Sequence, residues 1–175
     1  MKSWPTLMKA DCRVIRINGD WIYPIFKNAY TSLIIMTQEQ RLNSDIADCE
    51  NITIFLRDQE KRFVSGVGEF LFHNKDKDRD HLIDKIMAGE ISDRHFCPQA
   101  YWLFHLFKFY KGKVNIQDVS QVVKYTPARL KMKEYESLNL KAPENYLCAD
   151  RLLDKYVGQT ISIGSIIEDI KHVLS

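Results

Sequence analysis

Nowhere in the 175 residues is there an apolar run of about 18 residues, the length a bilayer span requires, so no membrane-spanning helix is expected. The N-terminal stretch MKSWPTLMKADCRVIRING is basic but lacks the apolar core of a secretory signal. Cysteine is scarce, and the four present (Cys12, Cys49, Cys97, Cys148) include no CxxC pair. That scatter predicts free thiols in a reducing, cytoplasmic setting ahead of a disulfide pair. An excess of either charge is also missing: 25 basic against 23 acidic residues leave +2, too little for general nucleic-acid binding by charge alone. With no internal repeat and no low-complexity linker, a single domain over 1–175 is expected.

What is present fits a globular chain, with 45% hydrophobic and 27% charged residues. The runs RVIRI (13–17), WIYPIF (21–26) and ITIFL (52–56) are short and rich in β-branched and aromatic residues, as buried strands are. Asn18-Gly19 between the first two predicts a tight hairpin. Pro24 makes the second strand irregular there, or an edge. TSLIIMTQEQRL (31–42) reads as a helix capped by Thr31 or Ser32, which gives a strand-helix-strand unit and a parallel sheet. In RDQEKRFVSGVGEFLFH, Phe63, Val67, Phe70 and Leu71 share one helical face, and Asp58, Arg62, Ser65 and Glu69 the other. Helices are also predicted over 80–88, 98–110, 127–138, 145–156 and 163–174, with a short strand near 119–124.

Two segments carry chemistry. Lys27 follows an apolar run and precedes small and hydroxyl residues at a helix start, the order in which a chain builds an anion site. A Walker A loop it is not, because no glycine is present and the lysine comes first; a surface turn capping a helix is the plainer alternative. Arg57 directly follows a buried strand, at the edge where parallel sheets bind ligands, and Arg62 and Ser65 lie in the next turns. An Asp58–Arg62 helix pair, contributing roughly 0.3 kcal/mol, is the alternative there.

Together these segments resemble the PAPS-dependent sulfotransferases, above all the carbohydrate-type branch. KNAYTS (27–32) is similar to that family's K-x-[GA]-x-T-[ST] loop for the 5′-phosphosulfate, and RDQEKRFVS (57–65) to its R-D-P-x-x-R-x-x-S motif for the 3′-phosphate. DRHFCPQAYWL (93–103) looks like a third, weaker family segment, H-[WF]-x-P-Q. Gln59 stands where the family has proline, and Tyr30 where it has a small residue. The resemblance implies an α/β, P-loop-like three-layer fold with a central, mainly parallel sheet flanked by helices and a helical C-terminal part. It also implies transfer of a sulfuryl group from PAPS, without a metal, to a hydroxyl of a saccharide or small metabolite. Lys27, Asn28, Ala29, Tyr30, Thr31, Ser32, Arg57 and Ser65 would bind the nucleotide, and Lys27 would stabilise charge on the departing oxygen. For the base, His95 comes first because an imidazole titrates near neutrality, although it equally suits ordering a loop through Asp93; Glu69 (more simply a salt-bridge partner), His73 and Glu39 stay open.

Two other functions remain: a P-loop-like nucleotide kinase or phosphohydrolase, disfavoured by the missing GK[ST], and a non-catalytic nucleotide-binding module. Asp76, Asp78 and Asp80 imitate a calcium loop, but His81 replaces its glycine and Met87 its terminal glutamate, so a solvated loop or helix entry is simpler. His95 with Cys97 is a weak metal signal. YWLFHLFKFY (101–110) reads as core ahead of an acceptor platform, and Arg129, Lys131 and Lys133 as a solvated face ahead of a site for an acidic acceptor.

Overall fold

The computed structural model describes residues 9–125 and 138–174. β1 (Arg13–Ile17) and β2 (Asp20–Tyr23) form the expected hairpin. Asn18 and Gly19 both take left-handed backbone (φ 50° and 85°), as the tight turn between two right-twisted strands requires. There follow α1 (Tyr30–Ile35), β3 (Glu39–Leu42), a 3-10 turn (Asn43–Ile46) and β4 (Asn51–Leu56). Next come α2 (Gln59–His73), α3 (Arg79–Met87), α4 (Gln99–Phe107), β5 (Lys113–Asp118) and a 3-10 turn (Val119–Lys124). α5 (Glu144–Leu153), a 3-10 turn (Asp154–Tyr156), β6 (Thr160–Ser162) and α6 (Ile163–Leu174) complete the described chain.

The six strands lie in the order β3-β1-β2-β4-β5-β6. β2, β4 and β5 are parallel, while β1, β3 and β6 join antiparallel, so the sheet is mixed and parallel only at its centre. This corrects the mainly parallel expectation, and the C-terminal part is not purely helical, since it contributes β5 and β6. The short strand expected near 119–124 lies at 113–118, and the 3-10 turn follows it. The helix expected over 31–42 stops at Ile35. Its remainder is β3, because the free edge of β1 offers backbone partners, Arg16 pairs with Glu39 at 3.3 Å, and Arg41 stacks on Trp21. β2 ends at Tyr23 and lies inside the sheet, so Pro24 terminates it rather than marking an edge. The segment expected as a helix over 127–138 lies, but for Leu138, outside the described residues, as do Arg129, Lys131 and Lys133.

Strand alternation divides the apolar residues between two cores. Ile52, Ile54 and Leu56 face the larger one with α2, α4, α5 and α6; Phe55, with Ile15, Ile17 and Ile22, faces a smaller one closed by Leu33 of α1 and Val122. In α6 the buried Ile163, Ile166, Ile167 and Ile170 recur at helical spacing and pack on α4 and α5. Most of the 101–110 segment is core as well, with Trp102, Leu103, Leu106 and Tyr110 buried. All four cysteines are free; Cys12, Cys49 and Cys97 are buried, and only Cys148 is partly accessible. Burial pushes the Cys12 and Cys97 thiols up to about 12 and raises Cys49 as well.

Candidate functional site

Pro24 ends β2, and the chain turns through Lys27 and Ala29, both left-handed (φ 69° and 59°). For residues carrying a Cβ this costs about 1–2 kcal/mol each, so neighbours must impose it. Asn28 does much of that: it is fully buried, and its Nδ2 donates to the Phe55 carbonyl (2.8 Å) and to Gln99 Oε1 (2.6 Å). Arg57, the first residue beyond β4, donates from its guanidinium to the Lys27 carbonyl at 2.9 Å. The two segments thus meet at the carboxyl ends of the adjacent parallel strands β2 and β4.

Lys27 turns its side chain away from water onto α2, where Nζ donates to Glu69 Oε2 at 2.8 Å. The other oxygen of that carboxylate faces His95 Nε2 at 3.6 Å and His73 Nε2 at 3.8 Å. Behind His95, Asp93 Oδ1 meets Nδ1 and accepts the His95 backbone N–H (2.9 Å). That contact fixes the ring with Nε2 turned toward Glu69. Burial pushes Glu69 up, but the hydrogen bond and charge of Lys27, with His95 and His73, outweigh it and hold the carboxyl below its ordinary value. Asp93 behaves alike, its burial outweighed by His95. Both residues predicted as catalytic, Lys27 and His95, therefore converge on Glu69. Glu39 is elsewhere, paired with Arg16 on the sheet edge.

Gly66 makes this closeness possible. A Cβ there would lie 2.0 Å from the His95 carbonyl oxygen, so only glycine lets α2 approach the 93–97 segment.

The remaining loop residues differ from expectation in detail. Ala29, not Thr31 or Ser32, occupies the N-cap of α1, with no side-chain cap; Thr31 is exposed and Ser32 half-buried. Tyr30 accepts a hydrogen bond from Arg13. Ser65 sits half-buried on α2, two turns beyond Arg57 and one before Glu69. Arg62 is not on a free face. It is fully buried and donates to the carbonyls of Phe26 (3.0 Å), Arg94 (3.1 Å) and Cys97, tying the lysine loop and the histidine segment to α2. Nor does it pair with Asp58, which caps α2 by accepting the Lys61 N–H at 2.9 Å. Gln59, in the family's proline position, donates to the Phe96 carbonyl (3.3 Å), a bond proline lacks the donor to make.

Gln99 and Asp150 went unread as site residues, although Gln99 lies inside the third family-like segment. The Gln99 side chain accepts the Arg57 N–H (2.9 Å) and donates to the Arg57 carbonyl (2.8 Å), gripping that residue's backbone on both sides. Asp150, fully buried on α5, accepts the N–H groups of Gln99 and Ala100 (each 3.0 Å) at the start of α4. Burial pushes its carboxyl up against those bonds.

One cleft lies beside Arg57 and another against the lysine loop. The first, of about 230 Å³, contains Arg57, Gln59, Gln99, Asp150 and Arg151. Asp58, Glu60 and Asp154 rim it too, and of its two cations Arg57 and Arg151 the latter is paired with Glu144. The other, about 380 Å³, lies on the β1 side of the loop. Asp78, of the aspartate run, caps α3 by accepting the His81 N–H at 3.1 Å. Among the described residues, no three His, Cys, Asp or Glu side chains are grouped to share a metal ion, and no helix is long and apolar enough to cross a membrane. The chain matches no family model, no curated protein and no solved structure.

Proposed function

We propose that the chain is a sulfotransferase that takes a sulfuryl group from PAPS to a hydroxyl of a saccharide or small metabolite. One observation carries the reading: the lysine loop and the arginine segment, thirty positions apart in sequence, meet through the Arg57–Lys27 carbonyl bond of 2.9 Å at neighbouring parallel strand ends. PAPS is anionic at both ends; Arg57 at this sheet edge suits one of them, and Lys27 serves the other by exchanging Glu69 for the nucleotide. In this reading Arg57, with Ser65 on the adjoining helix, holds the 3′-phosphate, and residues 27–32 the 5′ end. The acceptor oxygen gains the bond to sulfur while the donor phosphate oxygen keeps the electron pair of the bond that breaks. Lys27 stabilises the charge gathering there, and the acceptor proton passes to Nε2 of His95, which Asp93 orients.

The acid-rimmed cleft beside Arg57 is the one feature on the side of a metal-dependent kinase or phosphohydrolase. Calorimetric titration with 3′-phosphoadenosine 5′-phosphate, AMP and ATP, with and without magnesium, separates the two. Micromolar binding that needs the 3′-phosphate and no metal supports the sulfotransferase. Magnesium-dependent ATP binding without that preference overturns it.

A further inference from the structure

The 380 Å³ cleft on the β1 side is chemically unlike the first. Arg13, Phe26, Tyr30, Arg94, Trp102 and His105 contribute to its lining. Arg13 lies over the Tyr30 ring (5.6 Å to its centre) and Arg94 over Phe26 (5.2 Å), so both guanidiniums are held against flat surfaces. Neither forms an ion pair with a carboxylate among the described residues, although Asp93 feels the Arg94 charge. Among the described residues Asp11 is the one carboxylate in the lining, and its Oδ1 accepts from Asn43 Nδ2 at 3.1 Å. Two cations therefore face one anion.

Behind the cleft wall His105 is only 1% exposed, and neither of its ring nitrogens makes a hydrogen bond of ordinary geometry, whereas the indole of Trp102 turns its N–H to the buried Cys97 thiol. The Asp11 backbone approaches His105 closely enough to oppose the lowering of its pKa by burial, without completing a bond of ordinary geometry. Phe26 links this cleft to the catalytic group, its ring lying 5.2 Å from His95 and 5.1 Å from Trp102.

We propose that this cleft is the acceptor site and that it selects a ring-bearing hydroxy acid, with Arg13 and Arg94 on its carboxylate and Phe26, Tyr30 and Trp102 against its ring. This rests on the sulfotransferase reading for the word acceptor, but carboxylate recognition is testable without it. A volume of 380 Å³ is at the small end of ligand sites, enough for one or two rings.

The probes are 4-hydroxybenzoate and its methyl ester, and glucuronate and glucose, each titrated against the full chain by calorimetry and ligand-observed NMR. The acid of at least one pair should bind about tenfold or more tightly than its uncharged partner, the scale of one charged hydrogen bond. Which pair discriminates tells aromatic from sugar. Arg94→Met, at an exposed position, should remove that preference while affinity for 3′-phosphoadenosine 5′-phosphate is unchanged; Arg13→Met should remove it too. Equal binding of acid and uncharged partner, no binding of either at millimolar concentration, or a preference surviving both variants overturns the cleft assignment. Nucleotide binding without acid discrimination defeats the cleft alone. Acid discrimination without nucleotide binding defeats the sulfotransferase reading, and with it the acceptor role.

Discussion

Lys27 combines a strained backbone with a side chain held by Glu69, so its loop and its charge can be perturbed separately. Ala29→Gly relieves one left-handed Cβ and should stabilise the fold by about 1 kcal/mol in urea denaturation. Lys27→Ala should lower kcat for sulfuryl transfer much more than nucleotide affinity; an equal loss in both would reduce Lys27 to a binding residue. Arg57→Ala should weaken 3′-phosphoadenosine 5′-phosphate by about 1.5–3 kcal/mol in calorimetry, and unchanged affinity would remove Arg57 from the site. Gly66→Ala forces α2 away from the His95 carbonyl, so it should destabilise the fold and shift the His95 ring resonances in NMR. These roles were unequally legible. The residue types of KNAYTS and RDQEKRFVS pointed to an anion site, and the loop and Arg57 do meet. The burial of Arg62 was not readable, because helical spacing places it beside Ser65 and Glu69 and only the fold brings three carbonyls around it.

At the scale of elements, the strongest local signals survived. Asn18-Gly19 dictates its turn, and β4 and α2 follow from a buried run and a capped amphipathic stretch. Residues 36–42 went the other way because pairing with β1 outweighs helix propensity, a tertiary effect invisible along the chain. Gln99 was equally hidden, since its partners Asn28, Arg57 and Asp150 are scattered over more than a hundred positions. That hub yields a test. Asp150→Asn keeps one acceptor at the start of α4 and loses another, so the fold should weaken by about 1–3 kcal/mol in urea denaturation, with nucleotide affinity falling as Arg57 loosens. A drop in stability with no change in affinity would mean that Gln99 does not position Arg57.

For the whole molecule, Glu69 and Asp93 make acid the weak side. Their folded carboxyls lie below the ordinary 4.5 and 3.8, so their stabilisation is complete above those values and is lost as pH falls through the depressed ones. Asp150, raised by burial, contributes in the opposite sense, most at low pH and less as pH rises through its folded value. Denaturation midpoints for the native chain and Glu69→Gln should therefore be fully separated above pH 4.5 and converge as pH falls through the depressed value of the Glu69 carboxyl, and parallel curves would deny Glu69 that role. The distribution of sulfur has a further use. Three thiols are sealed and pushed toward weak acidity at separate places, ahead of β1, ahead of β4 and ahead of α4, while Cys148 on α5 is within reach of reagents. A thiol-reactive dye should therefore modify one cysteine quickly and these three only when the chain opens around them. The native protein thus carries its own clock for breathing motions, readable site by site by mass spectrometry without any engineered label.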